Sequence, residues 1–312
     1  MNAGTVGSAG TVAPAPPAST TADTVRHVVV AVSAVLAVVG AFVGSGAAGG
    51  TPIAEAAGGA LAADATLIAP AGPAFAIWTL IYLGLLAYAV WQFFPSVRAA
   101  QRHRVLGYPI AASMLLNAAW ILSVQAGLLW LSVAVIAVLL VVLCWLYATC
   151  IRRPPHALTD ALVTDGTIGL YLGWVSIATA ANVAAALVSS GFDGWGLPPE
   201  MWSILVIEVA AIAIAILGVV SRGGLAPMIA ASWGLAWVAV GRLAGEPQSV
   251  ATGVAAIIGI VLIVAATLTA RLLTGRNRRL GPVPHPHHPA PEHPAPEHPS
   301  SGRPAPQHPA QH

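Results

Sequence analysis

Apolar positions run along this chain in long blocks, interrupted by short polar or small-residue stretches. Eight blocks reach spanning length, with approximate limits 27–45, 71–93, 105–125, 128–150, 160–188, 200–220, 225–243 and 248–273. About 20 apolar residues cross the hydrocarbon core as a helix, and lipid admits only segments whose backbone groups are paired internally. The expected fold is therefore all-α, a polytopic membrane bundle of about eight transmembrane helices. The longest connection, 46–70 ("GAAGGTPIAEAAGGALAADATLIAP"), is rich in small residues and carries only Glu55 and Asp64 as charges. Residues 1–25 are mostly Ala, Thr, Pro and Gly and read as a disordered tail. No basic residue follows Met1 before Arg26, so the start does not read as an ordinary signal peptide.

Inside the apolar blocks the larger side chains are not scattered. Phe75, Trp78 and Tyr82 recur at spacings of three and four in "AGPAFAIWTLIYLGLLAYAVWQ" and share one helical face. Ser113, Asn117 and Trp120 do the same in "SMLLNAAW", and so do Tyr171, Trp174, Ala178 and Asn182 in "YLGWVSIATAAN". Two readings compete. Tryptophan favours membrane interfaces and asparagine bonds helix to helix. Alternatively, the three faces meet in a pocket. Interface anchoring suits Trp91 and Trp195, near block ends. It suits Trp120 and Trp174 less well, because they lie deeper, and the conjunction across three helices favours the pocket.

Composition narrows the class. The chain is 57% hydrophobic and 8% charged, against about 25% charged in soluble domains. Its net charge of +2 is too small and too dispersed for nucleic acid. All thirteen basic residues are arginine, which excludes any lysine Schiff base. Charge also orients the bundle. With the N-terminus inside, Arg98, Arg102, Arg104, Arg152, Arg153 and Arg222 fall in inside loops, and Arg271, Arg276, Arg278 and Arg279 follow the last span. The opposite loops hold Glu55, Asp64, Asp193, Glu200 and Glu246, with Arg242 the only nearby base. By the positive-inside rule both termini are cytoplasmic.

Reactive chemistry is sparse. Cys144 and Cys150 lie six apart on one helix, about 240° around it, so no disulfide or CxxC site follows. His27, His103 and His156 sit at block boundaries or inside loops. The other seven of ten histidines fill the proline-rich tail 281–312, read as solvated low complexity, with metal affinity the alternative. No histidine lies deep in a span, and no DDxxD pair or Walker loop occurs, so neither catalysis nor a cofactor nor a dedicated metal site is expected. Two carboxylates do fall within spans, Glu208 and Asp165. Each is a candidate for proton coupling, or else a protonated acid bonded to a neighbouring helix. Asp160 reads as the cap of the fifth helix.

The order "PAGPAFAIWTLIYL", "MLLNAAW", "YLGWVSIATAAN" resembles the TspO/MBR family, tryptophan-rich sensory proteins related to the peripheral benzodiazepine receptor. Pro70, Pro73, Phe75, Trp78, Thr79 and Tyr82 fit its first motif, Asn117 and Trp120 its second, and Tyr171, Trp174 and Asn182 its third. The usual Lys-Pro-x-Trp-x-Pro-Pro lead-in is not intact, since lysine is absent and no tryptophan lies between Pro70 and Pro73. The resemblance implies a five-helix core over 26–190, to which this chain adds three further helices over 191–275 and a Pro/His-rich tail over 276–312. It implies a bacterial cell-membrane protein whose bundle binds porphyrin or another flat hydrophobic molecule. Phe75, Trp78 and Tyr82 would face Trp120, Tyr171 and Trp174, with Asn117 and Asn182 orienting a polar edge and 46–70 over the mouth. The expected partners are that ligand, the bilayer and, in a homodimer, a second copy. The runner-up is a proton-coupled transporter using Glu208 or Asp165, and a tetrapyrrole-degrading activity is a third reading that no residue set demands.

Overall fold

The computed structural model describes residues 19–53, 55–155 and 157–280, with side chains to residue 275. His156, most of the N-terminal tail and the Pro/His-rich tail from 281, including its metal alternative, lie outside the described residues.

Eight long helices carry the fold. They are α1 (Thr21–Gly44), α2 (Ile77–Trp91), α3 (Gln101–Gln125), α4 (Leu129–Arg152), α5 (Thr167–Ser189), α6 (Pro199–Val220), α7 (Leu225–Ala244) and α8 (Val250–Leu280). All eight correspond to segments long and apolar enough to cross a membrane. Helix α1 starts six residues before the expected block because Thr20 and Asp23 form a reciprocal cap. Asp23 N–H reaches Thr20 Oγ1 at 3.3 Å, and Thr20 N–H reaches Asp23 Oδ2 at 3.0 Å. A 3₁₀ turn, Gly72–Ala76, leads into α2 with Pro73 in its first turn.

The start of α5 departs from the sequence reading. A short helical stretch, Leu158–Asp160, passes into a π-turn, Ala161–Gly166, before α5 proper. Asp160 caps nothing here, which corrects the expected N-cap. In an α-helix, residues five apart point about 140° apart. A π-turn closes i→i+5 and so brings Asp160 and Asp165 to one side. Both then reach Arg102 of α3, Asp160 at 2.6 Å. Thr164 Oγ1 donates to Asp160 at 2.7 Å, His103 lies 3.4 Å from the same carboxylate, and Arg102 Nε donates to the Arg153 carbonyl at 2.7 Å. This ionic knot ties α3, α4 and α5 together at one end of the bundle.

The helices pack in the order α1, α3, α4, α5, α7, α8, α6. Two apolar clusters result. One lies mainly among α1 to α5 and also takes in Ala230 of α7, and the other lies among α5 to α8, with α5 contributing to both. Lipid removes the usual hydrophobic drive between helices, so close packing of small residues does more of the holding. Gly173 illustrates this: a Cβ there would collide with the Pro227 carbonyl oxygen of α7. Helix α2 is different. It has few close backbone neighbours, and its rings span the gap to α3 and α5.

Candidate functional site

The three aromatic faces converge. Trp78 is the hub, with its ring centroid 5.7 Å from Tyr82, 5.8 Å from Tyr171 and 6.2 Å from both Trp120 and Trp174. Phe75 meets Trp174 edge-on at 5.9 Å. Offset and edge-to-face arrangements such as these suit the ring quadrupoles.

The two asparagines bond across helices. Asn117 Nδ2 donates to Tyr82 Oη at 2.6 Å. Trp120 Nε1 donates to Asn182 Oδ1 at 3.2 Å, and Asn182 Nδ2 donates to Ser132 Oγ at 3.0 Å. Tyr171 Oη donates to the Ser113 carbonyl at 3.1 Å. The expected residues thus divide into two layers. Phe75, Trp120, Trp174 and Asn182 line a cavity, while Trp78, Tyr82, Asn117 and Tyr171 are absent from its lining and pack around those rings.

The rest of the lining explains the position of the long connection. Ala60, Leu61, Thr66, Ala69 and Pro70 roof the cavity, with Ile177, Ala178 and Ala181 of α5 below. The cavity measures about 30 Å³, room for roughly one water molecule. Sites for drug-sized ligands occupy about 300–1,000 Å³, so a molecule of that size would fit only if residues of the lining moved. Three polar atoms at the site are buried and unpaired: Trp174 Nε1, Thr66 Oγ1 and Asn117 Oδ1.

The roof is fastened by residues that the sequence reading did not assign to the site. Gln125 Nε2 donates to the Thr51 carbonyl at 2.9 Å. Arg242 Nη2 donates to the Ala63 carbonyl at 2.6 Å. Ala71 N–H bonds to the Trp237 carbonyl at 3.2 Å, and Trp233 Nε1 donates to the Ala74 carbonyl at 2.9 Å. Three of these four fasteners come from α7. The signal for Arg242 was its isolation as the only base near the acidic loops. Trp233 and Trp237 carry a spacing-of-four signal like that of Trp78 and Tyr82.

These motifs and this roofed aromatic cavity accompany a family match. The sequence matches the family described as TSPO-like protein over residues 31–269, well over half the chain. The chain belongs to the TSPO-like family. It is therefore a multi-pass membrane protein, and the matched stretch runs through all eight helices. No curated protein and no solved structure matches it significantly.

In this TSPO-like protein the two carboxylates proposed for proton coupling lie apart from the cavity. Asp165 is engaged with Arg102 in the ionic knot. Glu208 sits midway along α6, half-buried, and its side chain has no bonded partner among the described residues. Trp195, expected in a loop, is 77% exposed in the α5–α6 connection and packs on Phe192 and Trp202. Cys144 and Cys150 are free, one exposed and one buried, as their angular separation requires.

Proposed function

We propose that this protein is a non-enzymatic sensor or binding protein of the bacterial cell membrane, both termini cytoplasmic, whose ligand is a flat apolar molecule of the porphyrin class. The observation that carries the reading is the roofed cavity between Phe75, Trp120 and Trp174, with the unpaired Trp174 indole N–H at its wall. Planar ligands stack on such rings, and an unpaired buried donor offers a ligand acceptor its hydrogen bond. In this reading the rings that now pack against one another exchange those contacts for the ligand plane once the roof lifts. No set of side chains around the cavity demands a catalytic role. The arginine distribution supports the orientation, and a second copy of the chain is the remaining partner proposed.

Porphyrin quenching of tryptophan fluorescence tests the reading. Protein in lipid nanodiscs should show saturable quenching. Trp174→Leu keeps bulk but removes the stacking plane, so affinity should fall about three- to tenfold, from roughly 0.5–1.5 kcal/mol of aromatic contact. Trp195→Leu should leave affinity unchanged. Equal losses from both substitutions would count against a site.

One observation favours a second reading, proton-coupled transport. Glu208 is an ionisable group in the middle of a span with no bonded side-chain partner among the described residues. Asp165, held by Arg102, suits that role less well. If Glu208 couples protons, Glu208→Gln abolishes pH-dependent uptake into vesicles. Unchanged uptake and pH dependence in the variant rejects coupling through this residue.

A further inference from the structure

Three arginines are buried among the described residues: Arg26, Arg102 and Arg242. Two have carboxylate partners. Arg26 lies 3.2 Å from Asp23, and Arg102 holds Asp160 and Asp165. Arg242, in the last turn of α7 and 1% exposed, pairs with no carboxylate among the described residues. A buried cation without a counter-charge is costly.

Carbonyl oxygens replace the counter-charge incompletely. Only the bond to Ala63 is short, at 2.6 Å. Those to the Thr66 and Glu246 carbonyls are 3.4 Å, and Nε has no partner. A guanidinium offers five N–H donors, so much of its capacity is unused. The carboxylates of Asp64 and Glu246 contribute favourable charge from exposed positions without pairing. The two acceptors at Ala63 and Thr66 belong to the roof, and Thr66 itself lines the cavity with its own hydroxyl buried and unpaired. A cation with no paired carboxylate among the described residues therefore sits against the roof of the candidate ligand cavity, with a second unused donor beside it.

We propose that Arg242 is the anion-recognising residue of this site. As the roof lifts, its guanidinium releases the Ala63 and Thr66 carbonyls and takes the carboxylate of a flat apolar ligand in their place. Charge-assisted bidentate pairs are roughly twice as strong as neutral hydrogen bonds, so an acidic ligand stabilises the open form more than a neutral one of the same shape. The inference rests on the binding reading above and narrows it to planar ligands with an acid group at one edge.

Protoporphyrin IX and its dimethyl ester share the plane and differ in the acid groups. The wild type in nanodiscs should bind the diacid at least about tenfold more tightly than the ester. Arg242→Gln should lose that preference and bind both compounds with similar affinity, and an unchanged circular dichroism spectrum reports an intact fold. Arg242→Lys should recover part of the preference, since it restores charge without the fork. A preference that survives in Arg242→Gln, or a loss shared equally by both compounds, overturns the assignment. Equal binding of the two compounds by the wild type overturns the arginine's role and leaves the cavity reading standing. Failure of the wild type to bind either compound overturns both.

Discussion

Single side chains in this bundle have separable duties. Trp174 and Phe75 line the cavity, whereas Trp78, though central to the cluster, packs behind that lining. Trp78→Leu should therefore act mainly through stability, costing on the order of 2–4 kcal/mol as the ring cluster loses its hub. Thermal unfolding in detergent should show this as a lowered Tm, and an unchanged Tm would place the ring outside the core. Arg102 carries a different load, holding two carboxylates at once with little exposure. Arg102→Met removes the cation that Asp160 and Asp165 share and should destabilise the protein by about 3–5 kcal/mol. A loss below about 1 kcal/mol in denaturant unfolding would show that the knot is dispensable. Much of this scale was legible in the sequence. The three-and-four spacing placed Phe75, Trp78 and Tyr82 on one face, and likewise Asn117 with Trp120 and Tyr171 with Trp174 and Asn182. Periodicity could not say which of those residues would reach the cavity and which would pack behind it, because that depends on the separation of α2 from its neighbours.

At the scale of elements, the apolar blocks located all eight helices to within a few residues over most of their ends. The misses have local physical causes. The Thr20–Asp23 box lengthens α1 at its start, and the π-turn at Ala161–Gly166 turns Asp160 from a cap into a partner of Arg102. Hydropathy sees neither, since both arise from polar side chains bonding at helix ends. The roof was legible as a long connection over the cavity. Its fasteners from α7 were not, because they depend on a tertiary neighbour. Tight contact between α5 and α7 links the two apolar clusters. Gly173→Ala should cost about 1–3 kcal/mol by overpacking against Pro227. A melting curve that matches the wild type would mean that α7 yields freely.

For the whole molecule, the eight spans among the described residues and the arginine distribution underlie the proposal that both termini face the cytoplasm. Reporter fusions after residue 60 and after 193 should read outside and a C-terminal fusion inside, with any reversal contradicting this topology. The proposed topology would set the 46–70 roof and Arg242 on the outer side, with the mouth of the cavity away from the cytoplasm. In the proposed function the cavity beneath this roof opens to hold a planar ligand. A structure of the protein bound to protoporphyrin IX tests it directly. The porphyrin ring should lie beneath a displaced 60–70 segment, in contact with Phe75, Trp120 and Trp174. A porphyrin on the lipid-facing surface, above a cavity still closed, would contradict it.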